Sequence, residues 1–280
     1  MARKTCAIAA ALFLLVSCAQ QRKGDEIVVC GQRFHTGTSV VLWSDPGGYN
    51  AYLAPPGSHF STRVDSLPLL QQTVDQFVIH YDACGLSREC FRVLNEERNL
   101  SVHFMLDIDG TIYQTIDLKE QAWHATTSNP RSIGIEIANV GAFDSPDADA
   151  LSRWYAKDRD GRVRITIPTK YGDGGVRTKG FVGRPARNGL IEGQVQGQTL
   201  YQYDFTPQQY AALIKLTAAL CRVFPNIKCD YPRLNQKLPD TVLANYRGVL
   251  GHYHIQTNKT DPGPAFQWDR VIDGAKKLTR

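Results

Sequence analysis

Two histidines and one aspartate stand where a folded chain could bring them together as metal ligands. His80 ends the apolar run QFVIH, and His252 follows the apolar run GVLG. Asp261 comes nine positions after His252, in the proline-containing segment KTDPGPAF. Two imidazoles and one carboxylate leave a fourth tetrahedral position open for water, which is the stoichiometry of a catalytic zinc site. By spacing alone the signal is weak, because histidines at strand ends are commonly hydrogen-bonded core residues.

The predicted elements around these residues alternate between strands and helices. Apolar runs at 76–81 and 132–141 predict strands, and the second is apolar enough to be buried on both faces of a sheet. The Asp109-Gly110 pair between VHFMLDI and TIYQTI predicts a hairpin, because this dipeptide tolerates positive φ. Short strands over 27–52 are expected on the flank of the core. The predicted helices are about 88–99, 207–224 with Thr206 as N-cap, and a terminal helix from Trp268.

Composition limits the class of protein. The 280 residues are 42% hydrophobic and 21% charged with a net charge of +5, which excludes disordered, collagen-like and coiled-coil chains. The charge is mild and both signs are interspersed, so no nucleic-acid partner is expected. Residues 142–204 are rich in Gly, Asp, Arg and Pro, and we interpret them as an insertion with a small hairpin rather than as a separate domain.

The N-terminus predicts export. Arg3 and Lys4 precede a ten-residue apolar run at 7–16, which at ~1.5 Å per residue is too short to cross a bilayer core of ~30 Å. A short basic region before a short apolar one is typical of a secretory signal peptide. Polar residues at 19–26 follow and suit a tether to the folded part of the chain.

The apolar run ends in Leu-Val-Ser-Cys, which resembles the lipobox of bacterial lipoproteins. That resemblance implies that residues 1–17 are removed, that Cys18 carries acyl chains, and that 18–26 form the tether. Ala19, rather than an aspartate, follows the cysteine, as in lipoproteins of the Gram-negative outer membrane. We therefore expect a protein anchored to the outer membrane by lipid and facing the periplasm. An ordinary signal peptide with an incidental cysteine is the alternative.

Export changes the interpretation of the five cysteines that follow the lipobox. In an oxidising compartment, cysteines close in sequence favour disulfides. Cys84 and Cys90 bracket one turn, whereas Cys221 and Cys229 bracket the end of a helix, so two local disulfides are the simplest pairing. Cys30 is then left unpaired. A structural zinc site is the alternative, but the chain contains no C-x-x-C spacing.

Six strings in a fixed order carry a family resemblance: FVIHY, SVHFMLDIDGTIYQ, AWHATTS, RSIGIEIANVG, TPQQYAAL and GHYHIQTNKTDPGPAFQW. They resemble the zinc N-acetylmuramoyl-L-alanine amidases of the amidase type 2 group, in the superfamily that includes the peptidoglycan recognition proteins. The resemblance spans roughly residues 77–268. It implies an α/β fold with a single mixed central β-sheet flanked by helices, an amidase domain over 27–280 interrupted by the insertion at 142–204, and Zn²⁺ as cofactor.

The resemblance also implies roles for single residues. The family's zinc ligands fall on His80, His252 and Asp261. Its catalytic glutamate falls on Glu136, which could accept a proton from water and pass it to the leaving amine. Its catalytic lysine falls on Lys259, which could stabilise the oxyanion. Without the resemblance, Glu136 would be interpreted as an ion-paired core carboxylate and Lys259 as a solvated loop cation.

Three further histidines have different expected roles. His124, with Trp123, resembles the family's substrate-side pair and is expected to line the groove, with simple packing as the alternative. His254 lies two positions after His252; if the strand continues, alternation would send it to the opposite face, and we interpret it as an outer partner of the site or a surface residue. His103 is expected to be structural. Val102 stands where the phage and animal branches have a tyrosine, so a tyrosine mechanism is not expected.

The implied reaction is hydrolysis of the amide bond between N-acetylmuramic acid and L-alanine, in peptidoglycan or its soluble muropeptide fragments. We expect a monomer that acts at the wall from its membrane anchor. Some recognition-protein relatives share the C-x5-C spacing of Cys84 and Cys90 and bind peptidoglycan without cutting it, so a non-catalytic binding protein is the main alternative. A zinc peptidase or esterase on the same fold is the second.

Overall fold

The computed structural model describes residues 24–54 and 59–279. The predicted signal peptide, Cys18 and residues 19–23 of the predicted tether lie outside the described residues. Within the two described ranges, none of the helices has the length and apolar character that crossing a membrane requires.

The described residues form strands and helices in alternation. The strands are β1 (Glu26–Val29), β2 (Gln32–His35), β3 (Val40–Leu42), β4 (Phe60–Thr62), β5 (Gln76–Tyr81), β6 (Phe104–Leu106), β7 (Ile112–Gln114), β8 (Glu120–Ala122), β9 (Ser132–Ile137), β10 (Tyr155–Lys157), β11 (Val163–Ile165), β12 (Leu190–Val195), β13 (Gln198–Tyr203) and β14 (Gly248–Gly251). The α-helices are α1 (Leu67–Thr73), α2 (Ser87–Arg92), α3 (Asp149–Trp154), α4 (Pro207–Val223), α5 (Asp240–Asn245) and α6 (Trp268–Thr279).

A six-stranded mixed sheet forms the centre of the fold. Its strand order is β14-β5-β9-β6-β7-β3. The first four strands are parallel, β7 returns antiparallel to β6, and β3 pairs parallel with β7 at the far edge. The predicted mixed central sheet, the buried strands β5 and β9, and the hairpin of β6 and β7 are therefore confirmed. The strands expected on the flank of the core do not all lie there. Strands β1 and β2 form a separate two-stranded sheet, whereas β3 is an edge strand of the central sheet.

Side chains of the central strands alternate between the two faces of the sheet. Phe77 and Ile79 of β5 and Ile135 of β9 lie in the main hydrophobic core with Leu213 and Leu216 of α4. Helix α6 packs beside α4 in the same layer. Because successive strand residues point to opposite faces, the even-numbered positions of β5 and β9 project from the face that α4 does not cover.

Helix α4 begins where the sequence predicts it. The Thr206 hydroxyl accepts the backbone N–H of Gln209 at 3.1 Å, and the Gln209 side chain accepts the backbone N–H of Thr206 at 2.8 Å. This reciprocal capping box satisfies two backbone donors that have no partner within the helix, and Pro207 occupies the first helical position. The Thr206 hydroxyl also donates to the carbonyl of Ile108, which ties the start of the helix to the loop of the β6–β7 hairpin.

The segment interpreted as an insertion packs against the main sheet. It contains α3 and two hairpins, β10–β11 and β12–β13, where the sequence predicted one. Trp154 and Val163 of this segment form a hydrophobic cluster with Leu86, Ile108 and Val140 of the surrounding chain. The apolar contacts therefore run continuously from the segment into the rest of the fold.

Candidate metal and catalytic site

The side chains of His80, His252 and Asp261 converge on one point at the end of the sheet. The Nδ1 atom of His80 lies 3.0 Å from Nδ1 of His252 and 2.8 Å from Oδ2 of Asp261. The same Asp261 oxygen lies 3.1 Å from Nδ1 of His252. All three residues are less than 8% exposed. The structure thus brings together the three residues predicted as metal ligands, from β5, the turn after β14 and the loop that follows that turn.

The local sequence explains this convergence. Strand β14 ends at Gly251, and a 3₁₀ turn over His252–His254 follows at once. A Cβ at position 251 would lie 2.7 Å from Cδ of Pro262, so a glycine there lets the loop that carries Asp261 close against the strand. The Tyr253 N–H donates to the Asp261 carbonyl at 3.2 Å and holds that loop in place.

The three side chains fit a zinc ion. Two imidazole nitrogens and one carboxylate oxygen are ligands that zinc prefers, and bonds of ~2.0–2.1 Å in a tetrahedron would place ligand atoms about 3.3 Å apart, a few tenths of an ångström beyond the separations here. Burial and the neighbouring His252 lower the pKa of His80 to about 4, which keeps its imidazole neutral. Burial opposes ionisation of Asp261, but the interactions with His252 and His80 together outweigh it and hold the pKa of that carboxyl well below its usual value.

The outward nitrogens of both histidines have partners of their own. Nε2 of His252 lies 2.6 Å from Oε1 of Gln256. Nε2 of His80 lies 3.0 Å from Nδ1 of His124, and Nε2 of His124 lies 3.2 Å from the Ser132 hydroxyl. Each Nδ1 atom is therefore the nitrogen that faces the convergence point, and each Nε2 atom is anchored in the surrounding protein.

Glu136 stands beside this cluster. Its Oε2 atom is buried and has no hydrogen-bond partner among the described residues. Burial, followed by the negative charges of Asp261 and Asp82, raises the pKa of Glu136 well above its usual value. A carboxyl group with an unpartnered oxygen and a raised pKa is suited to take up and release a proton.

One pocket of about 400 Å³ joins these groups. The three convergent residues lie in its wall together with Glu136 and Lys259, and Trp123 and His124 line it as well. Arg98, exposed at its rim, forms no ion pair within the described part of the chain. The predicted catalytic and substrate-side residues therefore share one cavity, although their roles stay predictions.

His254 is not at the surface, which was one of the two positions expected for it. It is fully buried; its Nδ1 accepts the Gly251 N–H and its Nε2–H donates to the Leu234 carbonyl, both at 2.8 Å. Strand alternation does not apply here because the strand ends before His252. His103 is structural, as predicted: Nδ1 accepts the Gly134 N–H at 3.1 Å, and Nε2–H donates to a backbone carbonyl.

The five cysteines among the described residues are free thiols in this structure. Nevertheless, Cys84 and Cys90 lie in the same apolar cluster, and the interaction between the two thiols, together with burial, raises the pKa of the Cys90 thiol. Cys221 and Cys229 are neighbours in the same way. The two predicted disulfides are not bonded here and stay predictions, whereas the predicted proximity of each pair is confirmed.

The partners of the outward nitrogens were not predicted from the sequence. Gln256 lies four positions after His252, a spacing that a helical turn brings into contact, so this partner could have been found. The contact between His80 and His124 spans 44 positions, and no local pattern signals it.

The chain matches one protein family. The profile of the amidase type 2 family, described as N-acetylmuramoyl-L-alanine amidase, matches residues 70–264. The chain is 35% identical over 88 residues to the N-acetylmuramoyl-L-alanine amidase XlyA of Bacillus subtilis (strain 168), over 29% of each chain. It thus spans less than a third of the length of that curated relative.

Two solved structures resemble this one at a low level. One is a selenomethionine derivative of AmpD, with a TM-score of 0.39 and 19% identity over 86% of this chain and 99% of that one. The other is the N-acetylmuramyl-L-alanine amidase AmiD from E. coli in complex with the substrate anhydro-N-acetylmuramic acid-L-Ala-D-gamma-Glu-L-Lys, with a TM-score of 0.44 and 22% identity. That match covers 72% of this chain and 57% of AmiD.

Proposed function

Because this chain belongs to the N-acetylmuramoyl-L-alanine amidase family, we propose that it is a zinc hydrolase that cleaves the amide bond between N-acetylmuramic acid and L-alanine in peptidoglycan or its fragments. One observation carries the proposal: within the matched range, two histidines and an aspartate converge in a pocket that also contains Glu136. The non-catalytic alternative is less favoured, because none of the three ligand positions is lost.

His80, His252 and Asp261 would hold the zinc ion. When bound, zinc supplies Lewis acidity, which makes water nucleophilic near neutral pH and polarises a carbonyl group. The protein supplies a buried, low-dielectric pocket and two imidazoles that are already fixed through their Nε2 atoms.

Glu136 is the general base and acid in this proposal. Its unpartnered Oε2 accepts a proton from the attacking water and then donates it to the departing amine of L-alanine. Lys259 contributes an ammonium group in the wall of the same pocket. That charge stabilises the negative charge that develops on the scissile carbonyl oxygen.

Trp123 and His124 form part of the wall that the substrate would contact. The indole of Trp123 offers an apolar surface to a sugar ring or an alanine methyl group. Both ring nitrogens of His124 already have partners, so a contact between His124 and substrate would use its ring carbons.

We also propose the cellular setting that the N-terminal sequence implies. Residues 1–17 would be removed as a signal peptide, and Cys18 would carry the lipid that anchors a monomeric enzyme to the outer membrane, facing the periplasm. Disulfides Cys84–Cys90 and Cys221–Cys229 would form there. Metabolic labelling with a radioactive fatty acid tests the anchor, since Cys18→Ala should abolish the label.

Digestion of defined substrates tests the activity. Purified sacculi and soluble muropeptides are incubated with the mature chain, with and without a chelator, and the products are identified by mass spectrometry. We expect intact muramic acid and stem peptides with a free L-alanine amino terminus, loss of this activity with chelator, and recovery with added zinc. Binding without any cleavage would support the non-catalytic alternative, and cleavage of another bond would support a peptidase or esterase.

A further inference from the structure

The ring of His124 is held rigidly behind His80. A Cβ at Gly134 would lie 2.5 Å from Cε1 of His124, so the imidazole fills space on strand β9 that any side chain at position 134 would occupy. On the other side, the backbone N–H groups of His124 and Ala125 both donate to Oδ1 of Asn129. Backbone and ring are thus fixed independently of any substrate.

A metal ion bound to His80 would determine which nitrogen of His124 donates a hydrogen bond and which one accepts. A neutral imidazole that binds metal through Nδ1 carries its proton on Nε2. The His80 Nε2–H must then donate to Nδ1 of His124, which accepts only if His124 carries its own proton on Nε2. That proton points at the Ser132 hydroxyl, which is 3.2 Å away. Each donor finds an acceptor, so the order from His80 through His124 to Ser132 is self-consistent.

The other direction is incompatible with metal binding. If Nδ1 of His124 carried the proton, it would donate to Nε2 of His80, and the proton of a neutral His80 would then lie on Nδ1. Nδ1 of His80 is the atom that faces Asp261 and His252. A proton there would block the metal ion. The tautomer of His124 therefore decides whether His80 can be a ligand.

We propose that His124 is a positioning residue for the metal site, which fixes the orientation and tautomer of His80, while the Ser132 hydroxyl accepts the Nε2 proton of His124. This inference rests on the proposed function, since it requires zinc at His80. Outer partners of ligating histidines are usually carboxylates, backbone carbonyls or water, and their loss typically costs about 10–100-fold in metal affinity. Here a second, neutral imidazole takes that place.

Two substitutions of His124 distinguish the effect of its hydrogen-bond acceptor, Nδ1, from the effect of its size. His124→Asn keeps an oxygen near the position of Nδ1, whereas His124→Leu has almost the same size and no acceptor. Zinc affinity is measured by competition with a chromogenic chelator, and the thermal unfolding of both zinc-free variants is recorded to check folding. We expect the leucine variant to bind zinc about 10–100-fold more weakly, and the asparagine variant to stay within about threefold of wild type.

Other outcomes are equally informative. Wild-type affinity in both variants, or equal losses in both, would overturn the role of His124 as an acceptor. A wild-type chain that binds no zinc would contradict the proposed function itself, whereas zinc binding that the leucine variant leaves unchanged contradicts only this inference.

A measurement on the unmodified protein avoids any folding defect of the variants. Two-bond ¹H–¹⁵N NMR spectra of the ¹⁵N-histidine-labelled, zinc-loaded chain distinguish the two tautomers of each ring. We expect both His80 and His124 to carry their protons on Nε2. A proton on Nδ1 of His124 would refute the proposal.

Discussion

His80 and Glu136 are direct neighbours across the pair of parallel strands β5 and β9, and both project from the face of the sheet that α4 leaves uncovered. Paired strands lie about 4.8 Å apart, so backbone hydrogen bonds set the spacing between the proposed metal ligand and the carboxyl group. In the proposed function, two adjacent side chains hold the metal and move the proton, and substitutions should separate these two roles.

Glu136→Gln should retain zinc and lose turnover. The amide keeps the size of the side chain but cannot accept the proton of water, and loss of a general base typically costs about 10²–10⁴-fold in rate. Metal content by elemental analysis and the rate of muropeptide hydrolysis provide the two readouts. Glu192→Gln is the matched control, because Glu192 is exposed on β12 and should have wild-type activity. Full activity in the Glu136 variant would show that another group is the base.

His80→Ala should instead lose zinc. Removal of one of three ligands is expected to weaken zinc binding by more than the roughly 100-fold that loss of an outer partner can cost, and activity should fall with it. Chelator competition measures the affinity. His35→Ala is the same change at an exposed position on β2 and should leave zinc binding unchanged. Retention of tight zinc binding without His80 would contradict the ligand assignment.

Asp107 should make the zinc-free fold less stable as the pH rises. Burial raises the pKa of this carboxyl to about 7 from an ordinary value of 3.8, so the folded state holds a proton that the unfolded state releases. Its contribution to stability is complete below about pH 4 and is lost as the pH rises to about 7, at up to about 1.4 kcal/mol per pH unit.

Denaturant unfolding between pH 4 and pH 8, in the presence of a chelator, measures this slope. Asp107→Asn keeps the oxygen that accepts the Ile108 N–H and cannot ionise, so its slope should be shallower than that of wild type. At pH 8 the variant should be the more stable of the two proteins. Parallel slopes would mean that Asp107 has no raised pKa.

The cysteine pairs should oxidise in the periplasm. In the structure, the Cys221 thiol contacts that of Cys229, and the Cys84 thiol contacts that of Cys90. Protein recovered from that compartment and denatured without reductant should have one reactive thiol, that of Cys30. Loss of the Cys221–Cys229 bond, which closes a short loop, should destabilise the fold by roughly 2–3 kcal/mol. Five reactive thiols would contradict both pairings.

Local chemistry made much of the fold predictable. The apolar run at 76–81, the Asp109-Gly110 turn and the cap at Thr206 each depend on residues within a few positions of one another, and the three elements they predict are confirmed. The parallel pairing of β3 with β7 is different, because it joins residues about 70 positions apart in a sheet edge that no local pattern specifies.

The residues of the site could be predicted from the sequence, whereas the contacts between them could not. The convergence of His80, His252 and Asp261 follows from strand ends and a family resemblance. The place of His124 depends on a missing side chain at Gly134 and on the 3₁₀ segment Thr126–Arg131, and such three-dimensional complementarity leaves no spacing to detect. The burial of His254 could not be predicted, because its position depended on whether the strand continued past His252, and β14 ends at Gly251.

The contact between the insertion and the pocket loop limits how this chain can be shortened. A Cβ at Gly85 would lie 2.9 Å from ring atoms of Trp154, and Gly85 follows Cys84, which lines the pocket. The indole of Trp154 therefore packs directly behind the segment that forms this wall of the pocket. A chain trimmed to the family's shared motifs would lose this contact, so the segment over 142–204 helps to support the wall of the pocket.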